Sequence, residues 1–145
     1  MLDSLTIRQV ALIEEATIRF HRGMQVLTGE TGAGKSIVVD SVNLILGGRA
    51  DRDLIRSGSD KATVEAVFST KGNEGVKAFM DQENIEYDGE TVTVYREISS
   101  GGRNLCRPRV RRQASRVLTK CLSKWVRVIL SSSEPVQVWV RPRSL

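Results

Sequence analysis

The stretch Gly29-Glu30-Thr31-Gly32-Ala33-Gly34-Lys35-Ser36 constrains this chain more than any other segment. It fits G-x-x-x-x-G-K-[ST], the Walker A pattern, which works only where a strand runs into the loop and a helix leaves it. Both flanks are legible. Met24 to Thr28 reads MQVLT, a short apolar strand, and Ile37, Val38, Val42, Ile45 and Leu46 are spaced to bury a wide stripe of a helix from about Lys35 to Leu46. Gly47 and Gly48 then supply a C-terminal stop. Each fixed position of the loop has a physical reason. Backbone N–H groups converging on a polyphosphate hold it best, and Gly29, Gly32 and Gly34 let the chain turn tightly and approach without a Cβ in the way. Glu30, Thr31 and Ala33 fill the variable positions of the same cradle. The helix aims its N-terminal donors and the positive end of its dipole at the phosphates. Lys35 adds a full charge at the β- and γ-phosphates, and Ser36 offers a hydroxyl to Mg²⁺, a hard cation that takes oxygen ligands and keeps several waters. The expected cofactors are therefore ATP and Mg²⁺, with Ser36 the metal-binding residue.

Around the loop, periodicity predicts both element types. Leu2 to Phe20 reads as a hairpin, with Ile18 and Phe20 alternating with Thr17 and Arg19. Ala50 to Ser59 is a loop or one helical turn around Leu54 and Ile55, and Ala62 to Ser69 is a strand. Glu74 to Asn84 is helical with Val76, Phe79 and Met80 on one face, and Thr91 to Ile98 is a β-branched strand that ends at a Gly101-Gly102 turn. No repeats and no sustained heptads occur.

The wording LTGETGAGKSIVVDSVNLILGGRAD, with LTIRQVALIEEATIRF before it and VYREISSGGRNLCR after it, resembles the N-terminal head segment of the RecN family of bacterial DNA repair proteins, relatives of the SMC ATPases. The likeness covers about residues 1–107 and is most specific at GETGAGKS followed by LGGRAD. It implies an α/β fold, the N-terminal lobe of a P-loop NTPase of the ABC-type ATPase head class, with a mixed sheet, an antiparallel hairpin and a phosphate-loop helix. It also implies ATP binding in DNA double-strand break repair and recombination, a cytoplasmic and nucleoid-associated site of action, and DNA as partner. In that family the head is split between the two ends of a long chain, so the resemblance implies two more partners, a C-terminal half-head and the second head of a homodimer. Arg8 and Gln9 lie where related heads place groups near nucleotide or DNA, but an exposed strand position is the better reading of both.

Hydrolysis in this class also needs a Walker B acid after an apolar strand and a signature loop from a second head. Ser99-Ser100-Gly101-Gly102 imitates the signature loop but follows an alternating strand, and a hairpin turn is the better reading. Val128-Ile129-Leu130 with Glu134 imitates Walker B, but three serines separate acid from strand. The expectation is a half-site that binds ATP without turning it over and without a catalytic residue of its own. His21, the sole histidine, is expected at a strand end with no catalytic role.

After Arg107 the family pattern stops and composition changes. Residues 1–102 carry 11 basic and 16 acidic groups, a net −5, whereas 103–145 carry 11 basic groups and the single acid Glu134, a net +10. All three prolines, Pro108, Pro135 and Pro142, fall in the latter part. The expected division is thus a half-head at 1–107 and a basic tail at 108–145 that is a frameshift product and not a native domain. The alternative is a genuine DNA-binding extension in which Trp125 and Trp139 stack on bases, making the chain a non-catalytic nucleic-acid-binding protein. A small phosphotransferase, with tail arginines as a lid, is a third reading. No run approaches the roughly 18 apolar residues of a membrane span, and Asp3 is unlike the basic start of a secretory signal, so no membrane association is expected. Cys106 and Cys121 form no metal-binding spacing and are expected to be reduced.

Overall fold

The structure, a computed structural model, describes residues 1–22, 25–27, 33–82, 84, 87–110, 113–114 and 138–140. In chain order its elements are β1 (Leu2–Val10), β2 (Ile13–Arg19), β3 (Gln25–Leu27), α1 (Ala33–Ile45), a short 3₁₀ turn (Arg52–Leu54), β4 (Lys61–Ser69), α2 (Glu74–Gln82), β5 (Thr91–Ser99), β6 (Asn104–Val110), β7 (Gln113–Ala114) and β8 (Val138–Val140). Six strands form one sheet in the order β2-β1-β4-β5-β6-β7, antiparallel throughout. The parallel pairing that makes the architecture mixed lies apart from it, between β3 and β8.

Alternation decides which face of the sheet is covered. In β4, Ala62, Val64, Ala66 and Phe68 are buried, and in β5 the buried set is Val92, Val94, Arg96 and Ile98. Leu5 and Ile7 of β1 join the same face, and the hydrophobic core is completed by Ile37, Val38, Leu44 and Ile45 of α1 with Val76 and Met80 of α2. One layer of helices thus packs on one sheet. Burying each large apolar side chain stabilises the fold by about 1.5–3 kcal/mol, and the contacts of α1 run to β4, β5 and β1. The same packing therefore fixes the helix whose first turn holds the last residues of the expected phosphate loop.

The β1–β2 hairpin forms as expected, with Leu5 opposite Ile18 and Ile7 opposite Ala16. Its tip was not legible. The buried period in β1 slips from Ile7 to Val10 because Gln9 takes a left-handed φ of 54°, and Ala11 in the turn does the same at 48°. Such conformations cost a non-glycine residue roughly 1–3 kcal/mol and persist only when the surroundings impose them. Here the 51–59 loop does so. Ala11 N–H donates to Leu54 O at 2.8 Å and Arg56 N–H to Gln9 O at 3.0 Å. The Arg56 guanidinium reaches Leu12 O at 2.8 Å, and Ser59 Oγ donates to Gln9 Oε1 at 2.9 Å.

Helix α1 opens at Ala33, two residues earlier than the apolar spacing suggests, because the glycine-rich stretch itself supplies its first turn. Its end is a Schellman motif: Gly48 N–H donates to Asn43 O at 2.8 Å and Gly47 N–H to Leu44 O at 3.2 Å. Gly47 has φ +95°, a conformation that an L side chain enters only with strain. Gly47→Ala is expected to cost about 1–2 kcal/mol, read as a lower urea midpoint with an unchanged slope. Helix α2 is capped by Asn73, whose Oδ1 accepts from Val76 N–H at 3.1 Å. The Gly101-Gly102 segment is a hairpin turn between β5 and β6, closed by Gly102 N–H to Ser99 O at 2.9 Å. Strand β6 runs through the expected boundary at 107/108.

Candidate nucleotide-binding site

The site is built where β3 delivers the chain to α1. Of the eight phosphate-loop residues, Gly29, Glu30, Thr31 and Gly32 lie outside the described residues, as does Thr28. Ala33, Gly34, Lys35 and Ser36 form the first turn of α1. The first four N–H groups of any helix point out beyond its end and carry the positive end of the dipole. No acidic residue occupies this turn, so no carboxylate of the helix competes for those donors. Gly34 is exposed, and a Cβ placed there would meet nothing within 4 Å. Packing against the described residues therefore does not require glycine at this position, and the backbone there is open to close approach. Lys35 is half-buried and Ser36 exposed, so a cation and a hydroxyl occupy consecutive positions in the first turn of the helix. The arrangement suits a polyanion with a hard cation. Among the described residues no cluster of three His, Cys, Asp or Glu could hold a metal by itself, and the oxygen of Ser36 fits one position of an ion that otherwise keeps water and phosphate ligands.

The remaining sequence candidates divide. Arg8 is exposed on β1 and pairs with Glu15 across the hairpin at 2.9 Å, the exposed-strand role. Gln9 instead supports the hairpin tip through Ser59. His21 is exposed just beyond β2. Cys106 is a free thiol, pushed up by burial and partly offset by the Arg96 guanidinium. Cys121, Trp125, the Val128–Leu130 run and Glu134 lie outside the described residues. Among the described residues no helix is long and apolar enough to cross a membrane.

Sequence reasoning missed Arg96. It occupies the buried face of β5, where Val92, Val94 and Ile98 surround it in the alternation, and is 7% exposed. Its Nη1 donates to the Leu44 carbonyl at the end of α1, and its Nε donates to Asn104 Oδ1 on β6 at 3.2 Å. Burial lowers its pKa, and Cys106 opposite it on β6 acts in the other direction. The signal was present in VTVYREI, where a cation falls on the apolar beat of the strand.

A family model described as AAA domain matches residues 4–125. The DNA repair protein RecN of Bacillus subtilis is 41% identical over 107 residues, which is 74% of this chain and 19% of that protein. RecN of Halalkalibacterium halodurans is 38% identical over 107 residues, again 74% and 19%. The chain thus spans about a fifth of the length of the curated relatives it matches. Among solved structures, an Smc head bound to the C-winged helix domain of ScpA superposes with a TM-score of 0.69 at 21% identity, covering 89% of this chain and 41% of that one. The recombination mediator RecF bound to ATP superposes at 0.58 with 11% identity, covering 79% and 27%. These last two likenesses concern the fold.

Proposed function

We propose, from the premise that this chain belongs to the AAA domain family, that it binds ATP with Mg²⁺ through residues 29–36 as the N-terminal part of a RecN-like, SMC-like ATPase head. The observation that carries the reading is the first turn of α1, Ala33 to Ser36, set directly downstream of β3. Backbone donors of residues 29–34 cradle the phosphates, Lys35 draws in the β- and γ-phosphate oxygens, and Ser36 holds one coordination position of the cation. When bound, Mg²⁺ neutralises phosphate charge.

This reading makes the chain an incomplete head. The hairpin turn at Ser99–Gly102 occupies the segment that imitates a signature loop, and binding without turnover follows when the Walker B acid and signature come from elsewhere. The repair of DNA double-strand breaks, DNA itself, a complementary half-head and a second head belong to the proposal through the RecN likeness, as does action in the cytoplasm at the nucleoid. Residues 108–145 remain proposed as a non-native continuation; the RecN-like pattern would continue after Arg107 with an Ile-Asn-Gly turn and a leucine-rich helix, and shifting the reading frame near codon 107 is expected to restore that continuation in the coding DNA.

The test is titration of a fluorescent ATP analogue with and without Mg²⁺. Saturable binding, competed by unlabelled ATP and weakened by chelation, is expected. Ser36→Ala should lose most of the Mg²⁺ dependence while leaving metal-free binding nearly unchanged. Absence of competition by ATP would sink the assignment.

A further inference from the structure

A charge on the buried face of a sheet is costly unless its hydrogen-bonding groups are met. Among the described residues, Arg96 is the only buried one that carries a formal charge; the other buried polar residues are Ser41 and Thr70. Among the described residues no carboxylate pairs with it. The ion pairs at hand, Arg8 with Glu15 and Lys61 with Glu97, lie elsewhere. Its compensation is the C-terminal end of α1, through the Leu44 carbonyl that also accepts Gly47 N–H. Helix α1 has no basic residue in its own last turn, so the sheet supplies the cation that complements the negative end of the dipole. The second bond, to Asn104, ties the same guanidinium to β6, where Asn104 stands opposite Ile98 of β5.

The two ends of α1 are thus held differently. Its C-terminus is fastened by one planar fork to two adjacent strands, and its N-terminus carries Ala33 to Ser36. A 13-residue helix is about 20 Å long and stiff, so where its far end is anchored decides the height and tilt at which its first turn is presented. We propose that Arg96 is a positioning residue for the nucleotide site, fixing the phosphate-loop helix on the β5–β6 hairpin and coupling that hairpin to the occupancy of the site. The proposal rests on the reading that the first turn of α1 holds the triphosphate. A purely apolar residue at 96 would continue the Val92, Val94, Ile98 stripe and pack the sheet, yet would leave Leu44 and Asn104 without this donor. An ammonium could reach one acceptor, not both in the fixed geometry of the guanidinium.

The experiment compares the full 145-residue wild type with Arg96→Met, Arg96→Lys and the control Val94→Ala, measuring ATP-analogue affinity and thermal melting for each. Arg96→Met is expected to melt cooperatively and bind about tenfold more weakly, the scale on which loss of an orienting partner acts. Arg96→Lys should recover part of that loss, and Val94→Ala should lower the melting temperature with affinity unchanged. Unchanged affinity in Arg96→Met overturns the inference while leaving nucleotide binding intact. Equal weakening in Val94→Ala overturns it too, since the effect is then general loosening. Failure of the wild type to bind overturns the parent reading instead. If Arg96→Met does not fold, the wild-type Arg96 Nε–H resonance decides: it should shift on addition of Mg²⁺-ATP, and a resonance that stays in place overturns the coupling.

Discussion

Lys35→Ala is expected to weaken binding of an ATP analogue roughly 10- to 100-fold, the 1.5–3 kcal/mol typical of a hydrogen bond to a charged partner. The apo protein should still fold and melt cooperatively, because Lys35 lies in the first turn of α1 and outside the hydrophobic core. A single substitution thus separates binding from folding. Equal affinity in the two proteins, measured by fluorescence titration at one ionic strength, would remove Lys35 from the site. The loss should also shrink as salt rises, because part of the attraction is long-range and screened.

Ile7→Ala is expected to have the largest effect on stability, about 2–5 kcal/mol. Ile7 is fully buried in β1, with Ala16 of β2 on one side and Val64 of β4 on the other. Neither neighbour can collapse far into the space left, since both are held in register by the ladder. Against a total stability of about 5–15 kcal/mol this is a large fraction, and urea unfolding should show a clear drop in midpoint. Saturating Mg²⁺-ATP should return part of the lost stability through linkage, since only the folded chain presents the loop. A midpoint in the variant that does not respond to nucleotide would contradict the proposed site, whatever the size of the destabilisation.

Much of the architecture was legible because its signals are local. The strands at 61–69 and 91–99 lie within a residue of the Ala62–Ser69 and Thr91–Ile98 read from the sequence, and the helix after the expected phosphate loop could be read from Ile37, Val38, Val42 and Ile45. The hairpin turn at Gly101-Gly102 outweighed the resemblance to a signature loop because a strand, not a helix, follows it. The loop after Gly48 read only as a loop or a single turn, and its short 3₁₀ turn stitches it onto the tip of a hairpin some 40 residues earlier in the chain. No local pattern announces such a partner. Gln9 was noted for its position in the strand, but its left-handed backbone depends on Arg56 and Ser59.

The sequence by itself determined the chemistry proposed for the N-terminal end of α1: glycines that would admit a polyphosphate to the backbone, a lysine and a serine in fixed order, and an apolar stripe that buries the rest of the helix. Those properties depend on spacing within a dozen residues. Only the tertiary structure decided how that helix is held. Arg96 lies 52 residues beyond Leu44, and its guanidinium meets the helix carbonyl because α1 crosses the buried face of β5. The alternation in VTVYREI showed that a cation would be buried, but only the fold could show that its counter-charge is the end of a helix and not a carboxylate.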